Sequence, residues 1–213
     1  MNGRWFLQIA LVIGMSCFTI PAFAQSAERP EAHIGDRWAW QHTNGLAKEK
    51  DTTKIEDVIE VTDTEIRTRL RTKGQPNSAV AAYTRDWNQI DMVTAQYDPY
   101  LKRFEFPCQV GKTWQSTADK MLFANGKHGK FVVKGEVATF EKVSVPAGTF
   151  DAYKIVLTMD AVSTDEDVRV GQTKEIHWYA PVVKNDVKLE NTFSRDGRVR
   201  SQDIFELIEY SLR

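Results

Sequence analysis

Apolar and polar residues alternate with a period of two along much of the chain. The segment 65–72 shows this most clearly: Ile66, Thr68 and Leu70 occupy one set of positions, and charged residues occupy the other. Two later segments repeat the pattern with inner positions at Tyr153, Ile155, Leu157 and Met159 and at Val187, Leu189 and Phe193. Successive side chains of a strand point to opposite faces, so the pattern predicts half-buried antiparallel strands.

The residues before this first segment predict its hairpin partner. With Thr62-Asp63 as a two-residue turn, Ile59 would lie opposite Ile66 and Ile55 opposite Leu70 on the inner face. Glu56 would then face Arg69 on the outer side. The stripe formed by Arg67, Arg69 and Arg71 is accordingly interpreted as a solvated, ion-paired outer face and not as a phosphate site.

Turn residues divide the remainder of the chain into short elements. Asn125-Gly126, Pro146-Ala147-Gly148 and Asp196-Gly197 supply the backbone conformations that hairpin turns require. About ten strands follow Asp36, and the last segment, 203–212, is predicted as a strand because no helix cap precedes it. A flat sheet of this width would leave long open edges. The predicted fold is therefore mainly β with little helix: a single antiparallel β-barrel or a strongly curled half-barrel.

The first 24 residues have the three parts of a cleavable signal peptide. Arg4 gives a positive start, residues 5–20 form an uncharged apolar run, and Pro21 precedes the small-x-small site Ala22-Phe23-Ala24. We expect cleavage after Ala24, a flexible segment over 25–34, a β-barrel-like domain over 35–213, and a periplasmic location. A membrane anchor and a lipoprotein acylated at Cys17 are the alternatives.

Charge and cysteine content narrow the class of protein. The chain has 28 Lys and Arg against 29 Asp and Glu, which gives no basic excess for nucleic-acid binding. The sequence after residue 24 contains no second long apolar run, so no membrane span is predicted in the mature chain. Without the signal peptide, Cys108 is the one remaining cysteine, so no intrachain disulfide can form. Its apolar neighbours indicate a small buried side chain and not a redox or metal thiol.

Tryptophan is the residue type that best suggests a ligand site. Trp38 and Trp40 lie two apart and share one strand face, and three further tryptophans fall on predicted strands or at their ends. The candidate ligand-binding residues are Trp38, Trp40, Trp87, Trp114 and Trp178. These side chains either fill the barrel as core or line a cavity for an apolar ligand.

Three motifs carry a resemblance to a known family. They are Phe106-Pro107-x-x-Val110-Gly111-Lys112-Thr113-Trp114, the segment 145–154 with sequence VPAGTFDAYK, and Trp178-Tyr179-Ala180-Pro181. On these motifs the region 103–210 resembles a family of uncharacterised bacterial exported proteins. The resemblance implies a curled barrel or half-barrel, similar to the envelope carriers that shelter lipoprotein acyl chains, and it implies no known reaction.

Signals for catalysis are weak, and no catalytic residue, metal site or cofactor is predicted. The four histidines lie in different segments without metal-ligand spacing. Glu175, His177 and Tyr179 share one strand face and could form an acid-base pair, but we interpret them as an outer polar ladder across from Ile176 and Trp178. The acidic run 165–167 lacks the spacing of a calcium loop and is interpreted as a solvated hairpin tip.

Two functions of different classes remain open at this stage. The first is a non-catalytic exported binding module that holds a lipid or another hydrophobic small molecule inside the curled sheet. The second is an envelope structural or interaction domain with a solid core and an envelope protein as its partner. A hydrolase that uses His177 is a distant third. An apolar cavity above about 300 Å³ favours the first function, and a filled interior favours the second.

Overall fold

The computed structural model describes residues 26–47, 51–124, 126, 128–163 and 169–213. The predictions for the signal peptide and Cys17, for Asn125 and for the acidic run 165–167 lie outside these residues. The described part of the chain forms fourteen strands and no helix. The strands are β1 (Ser26–Ala27), β2 (Arg37–Asn44), β3 (Thr52–Val61), β4 (Glu65–Thr72), β5 (Ser78–Thr84), β6 (Gln89–Asp91), β7 (Ala95–Leu101), β8 (Cys108–Gln109), β9 (Thr113–Leu122), β10 (His128–Val145), β11 (Gly148–Ser163), β12 (Arg169–Ala180), β13 (Asn185–Arg195) and β14 (Arg198–Ser211).

Twelve of the strands form a closed antiparallel barrel. Strands β2 to β7 and β9 to β14 pair in chain order, and β14 pairs with β2 to close the ring, with Tyr210 opposite Trp38. Strands β1 and β8 form a separate two-stranded sheet. The predicted single β-barrel is confirmed, as is the assignment of 203–212 to a strand. Among the described residues, no helix has the length and apolar character to cross a membrane.

The alternating pattern correctly identifies the inner face of β11. Tyr153, Ile155, Leu157 and Met159 on β11 are all buried. The turn between β13 and β14 also has the predicted chemistry, because Asp196 and Gly197 have φ angles of 52° and 69°. Two successive positive φ angles are typical of the type I′ hairpin turn, whose twist matches that of the strands it joins.

The predicted register of the first hairpin is wrong. Val61 pairs with Ile66, so the turn spans four residues, with the Thr62 amide donating to the Glu65 carbonyl at 2.9 Å. The register also shifts between Val58 and Glu60, so that Glu56 pairs with Leu70 and Ile55 with Arg71. A shift of one residue exchanges the two faces of a strand. Glu56, expected outside, is therefore buried inside the barrel.

Two arginines of the β4 stripe, Arg67 and Arg71, are ion-paired as predicted. Arg67 contacts Glu60 and Glu65, and the Nη2 atom of Arg71 lies 2.6 Å from Asp57 Oδ2. Ile66 and Thr68, on either side of Arg67 in sequence, are fully buried. The face assignment of β4 was thus correct, although its partner strand was misaligned.

A cluster of rings fills one region of the interior and is called the aromatic core. It consists of Trp38, Trp87, Phe104, Phe106 and Tyr179. Trp38 and Trp87 meet edge to face with centroids 5.6 Å apart, and both phenylalanines contact the Tyr179 ring at 5.4–5.9 Å. The phenylalanines belong to the connection between β7 and β8, which enters the barrel. A barrel of eight strands is just wide enough for side chains to fill, so twelve strands leave additional interior space.

Two segments beside the aromatic core contribute small side chains to it. Ala27 and Ala32 are buried, and Ala27 pairs with Cys108 across the β1–β8 sheet. The flexibility expected for residues 25–34 stays a prediction.

Cys108 is fully buried, and burial raises the pKa of its thiol to about 12. Such a thiol remains protonated, in agreement with the interpretation of Cys108 as a small buried side chain.

Candidate functional site

A partly enclosed cavity of about 680 Å³ lies beside the aromatic core. Its rim includes the exposed residues Asn77, Ser78 and Val93. Its wall is mixed in chemistry. The apolar lining residues include Trp40, Leu70, Met92, Leu189 and Phe205. Ionisable residues also reach the cavity, and together with His177 they form a cluster that is called the polar floor: Glu56, Arg103, Glu175, His177 and Asp186.

His177 lies at the centre of the polar floor and is fully buried. Its Nδ1 atom is 2.6 Å from Asp186 Oδ2, and its Nε2 atom is 3.0 Å from Glu175 Oε2. An ionised carboxylate can only accept hydrogen bonds, so both ring nitrogens donate when the ring is the imidazolium cation. Burial disfavours that cation and is the largest single influence, but the charge of Asp186 and the hydrogen bonds to Asp186 and Glu175 together outweigh it, so the pKa of His177 is raised.

Arg103 compensates the negative charge of Glu175, the second carboxylate that contacts His177. Its Nε atom lies 3.0 Å from Glu175 Oε2, while Asn191 donates to Glu175 Oε1 at 3.1 Å. Burial alone would raise the pKa of Glu175, but the charge of Arg103 and the hydrogen bond from His177 lower it to about 2. Glu175 is therefore ionised over the whole physiological range of pH.

The backbone of the β7–β8 connection holds Arg103 in position. The amides of Arg103 and Phe104 both donate to the Oδ1 atom of Asn88, at 2.7 Å and 2.8 Å. Asn88 is itself buried. The guanidinium Nη2 atom lies 3.4 Å and 3.3 Å from the two nitrogens of the His177 ring. When the ring is the imidazolium cation, those nitrogens donate to carboxylates and cannot accept from the guanidinium, so this contact brings two cations together.

Glu56 is the member of the polar floor that lies on β3. Its Oε1 atom accepts a hydrogen bond of 2.7 Å from the Thr68 hydroxyl, and Tyr83 provides a second side-chain hydrogen bond. Burial is the largest influence on Glu56 and raises the pKa of its carboxyl. The neutral acid is thereby favoured on this strand, whereas the carboxylate is favoured at Glu175.

Asp186 retains one unused acceptor. Its Oδ2 atom accepts from His177, and its backbone carbonyl accepts from Trp40 Nε1 at 2.9 Å. Its Oδ1 atom is buried without a hydrogen-bond partner. A buried polar atom that lacks a partner is costly, and such atoms are found where an ion, a water or a ligand group completes the site.

The polar floor supplies binding groups more readily than reactive ones. Both ring nitrogens of His177 are occupied by carboxylates, which leaves neither free to accept a proton from a bound molecule. Within the described ranges, no group of three or more His, Cys, Asp or Glu side chains has an arrangement that could hold a metal ion.

The interpretation of Glu175, His177 and Tyr179 as an outer ladder is wrong. All three side chains are buried inside the barrel. Trp178 is instead on the outer side, between the ammonium groups of Lys154 and Lys188, each a little over 5 Å from its ring. Alternation shows that two faces differ but does not show which of them is inside. The interior here has its own compensating charges, so the polar face turns inward.

The five candidate tryptophans do not form one site. Trp40 lines the cavity, while Trp38 and Trp87 belong to the aromatic core. Trp114 places its ring against Gly135 of the neighbouring strand, where a side chain in place of the glycine hydrogen would overlap the ring. Trp178 covers the outer face. Of the five, the structure therefore brings only Trp40 to the cavity.

Sequence reasoning missed Arg103 and Asp186, and it placed Glu56 outside. Arg103 lies in an irregular connection that has no alternation. Asp186 lies next to a shift in the β12–β13 register, where alternation is interrupted. A correct alignment of the first hairpin would have placed Glu56 beside Thr68 and inside the barrel.

No protein-family model matches the chain, and no curated protein matches it in sequence. Two solved structures are similar in fold. A proposed lipoprotein from Parabacteroides distasonis is 14% identical, with 88% of this chain and 100% of that chain covered and a TM-score of 0.54. A proposed exported protein with a YmcC-like fold from Bacteroides fragilis is 18% identical, with 87% and 99% covered and a TM-score of 0.54. The family resemblance that was drawn from the three sequence motifs stays a prediction. Over most of its length, the chain is similar in fold to a bacterial protein with a YmcC-like fold.

Proposed function

We propose that the protein is an exported, non-catalytic binding protein that holds a small, largely hydrophobic molecule inside its barrel. The observation that carries this proposal is the cavity of about 680 Å³. Cavities that bind small molecules measure about 300–1,000 Å³, are lined mainly by apolar side chains and contain a few fixed polar groups. The cavity beside the aromatic core has such a volume, and its wall combines apolar side chains with fixed polar groups. An interior space of this size also argues against the alternative of a scaffold with a solid core.

The apolar wall accounts for affinity. Trp40, Leu70 and Phe205 offer a surface for an alkyl or ring system, and Met92 adds an adaptable side chain near the exposed rim. Each buried methylene contributes about 0.8 kcal/mol before the costs of binding. An alkyl chain of moderate length therefore provides enough free energy for stable retention.

The exported location is supported by two observations of different kinds. Residues 1–24 have the pattern of a signal peptide, and the two structures of similar fold are a proposed lipoprotein and a proposed exported protein. The intact mass of the protein purified from an expressing bacterium distinguishes the two processing routes. A chain that begins at Gln25 indicates cleavage after Ala24, whereas a diacylglycerol adduct on Cys17 indicates a lipoprotein.

The experiment that tests binding begins with the purified mature protein. Native mass spectrometry and organic extraction are expected to show a co-purifying hydrophobic molecule. Ligand-free protein, obtained by extraction and refolding, should bind 1-decanol with a change in tryptophan fluorescence, because Trp40 lines the cavity.

Two matched variants locate the binding. Leu70→Trp fills part of the cavity and should abolish uptake, while Trp178→Leu alters the outer face and should leave uptake unchanged. Repeated recovery of protein without ligand, together with no response to decanol, would reject the proposal. Equal uptake by the two variants would place the molecule outside the cavity.

A further inference from the structure

The charges of the polar floor balance one another when the cavity is empty. Arg103 and the imidazolium of His177 carry two positive charges, and Glu175 and Asp186 carry two negative charges within hydrogen-bond distance of them. Burial favours the neutral form of Glu56. A charged group placed at the polar floor would lose its hydration without gaining an uncompensated partner there. Outside the floor, the cavity lining includes Arg71, which pairs with Asp57, and Lys54, which donates to the Thr72 hydroxyl.

The same residues offer unused hydrogen-bonding capacity. The Oδ1 atom of Asp186 is a buried acceptor without a partner, and Asp186 lines the cavity. Glu56 accepts hydrogen bonds from Thr68 and Tyr83, and in its neutral form, which burial favours, the carboxyl also carries an O–H that can donate. Both residues line the cavity and lie close enough for the charge of Asp186 to act on Glu56. Together they offer an acceptor and a donor, which match a group that both donates and accepts. Hydroxyl and primary amide groups have this property, and neither carries a charge.

The rest of the cavity fixes the orientation of such a molecule. The apolar surface of Trp40, Leu70 and Phe205 faces the same space as Glu56 and Asp186. Trp40 connects the two parts, because its ring lines the cavity while its Nε1 atom donates to the Asp186 carbonyl at 2.9 Å. An alkyl chain can therefore lie along the ring while its polar end reaches the floor.

We propose that the cavity selects uncharged amphipathic molecules that carry a hydroxyl or primary amide head, with the head at Asp186 and Glu56 and the alkyl part against Trp40, Leu70 and Phe205. This inference rests on the proposed binding function and adds a class of ligand to it. Long-chain alcohols, fatty amides and acylglycerols have the required chemistry, whereas free fatty acids and alkylamines do not.

The test compares four ligands with the same alkyl chain: 1-decanol, decanamide, decanoate and decylammonium. Each is titrated into ligand-free protein at neutral pH, and binding is followed by tryptophan fluorescence. The alcohol and the amide should bind at least about tenfold more tightly than either ion, which is the ratio that about 1.4 kcal/mol produces. If none of the four binds, the proposed function fails. If all bind equally, or if an ion binds most tightly, binding stands and the inference on the head group is wrong.

Substitutions at the two head-group residues test the assignment directly. Asp186→Asn removes one negative charge from the floor and should shift preference toward decanoate by about tenfold relative to decanol. The matched substitution Asp151→Asn, at a surface carboxylate paired with Lys142, should leave the preference unchanged. An unchanged preference in Asp186→Asn would place the head elsewhere.

Glu56→Leu provides a second test that keeps the charge of the floor. It removes a hydrogen-bonding group and should weaken decanol binding by about tenfold, with less effect on either ion. Circular dichroism and the thermal midpoint verify that each variant is folded. Unchanged decanol affinity in folded Glu56→Leu protein would overturn the assignment of Glu56.

Discussion

The aromatic core and the polar floor are neighbouring parts of one interior, yet they are stabilised in opposite ways. The aromatic core packs rings such as Trp38 and Tyr179 and depends on the removal of apolar surface from water. The polar floor buries ions, and its stability depends on each charge having a partner, as His177 has in Asp186 and Glu175. Strand β12 passes through both, with His177 and Tyr179 only two residues apart. Burial of a face therefore does not imply that the face is apolar.

The largest expected effect of a single substitution lies in the polar floor. Arg103→Met retains much of the side-chain volume but leaves Glu175 without its cationic partner. We expect the free energy of unfolding to fall by about 3–5 kcal/mol, measured by urea denaturation, because an uncompensated buried charge remains. The exposed control Arg67→Met should change stability by less than about 0.5 kcal/mol. Similar losses in the two variants would contradict the contrast between floor and surface.

In the apolar part of the interior, the expected cost comes from lost contacts instead of lost charge pairing. Leu157 is fully buried on β11, and Leu157→Ala should lower the free energy of unfolding by about 3 kcal/mol. This loss should be the same at pH 3 and pH 7, since no ionisable group is removed. A loss that depends on pH would show that the two regions are coupled.

The polar floor should also respond to acid. The pKa of Glu175 is about 2 in the folded protein and near 4.5 in the unfolded chain. Its contribution to the free energy of unfolding is therefore present above pH 4.5 and is lost as the pH falls toward 2. Between pH 6 and pH 3, we expect the wild type to lose about 2 kcal/mol more than Glu175→Gln in urea denaturation. Equal losses of unfolding free energy in the two proteins would mean that Arg103 does not keep Glu175 ionised at low pH.

His177 should produce the opposite dependence at higher pH. Its pKa is raised in the folded protein. Its contribution to the free energy of unfolding is therefore fully present below the ordinary pKa of 6.5 and is lost as the pH rises through the folded pKa. The groups that set this behaviour are Asp186, Glu175 and Arg103. Nuclear magnetic resonance of the imidazole carbons should show a ring that titrates above pH 6.5, and a neutral ring at pH 6 would contradict the arrangement.

The smallest expected effect is at Glu56. Its folded pKa is raised by burial, so the wild type gradually loses stability as the pH rises above 4.5, where the unfolded chain ionises more easily. Glu56→Gln keeps an acceptor for Thr68 and cannot ionise. The variant should be within about 1 kcal/mol of the wild type at pH 5 and should gain on it at pH 8. A constant difference between the two proteins would show that Glu56 does not titrate in this range.

Much of the fold, but little of the candidate site, could be predicted from the sequence. Alternation and turn residues predicted most of the strands, a barrel or half-barrel, and the inner face of β11, because backbone geometry imposes a period of two. The side on which Glu175 and His177 lie depends on Arg103 and Asp186, which are distant in sequence or lie beside a register shift. Such partners become visible only when the barrel is assembled.

The pairing of β14 with β2 has a consequence for the order in which the chain folds. The two strands that close the ring lie at opposite ends of the barrel sequence, with Tyr210 opposite Trp38. Joining them requires closure of a loop that contains almost the entire domain, and topologies dominated by such distant pairings fold slowly. The barrel can be completed only after β14, the last strand, has been synthesised and is free to pair with β2. Until then, β2 presents an unpaired edge on which a neighbouring molecule can add a strand.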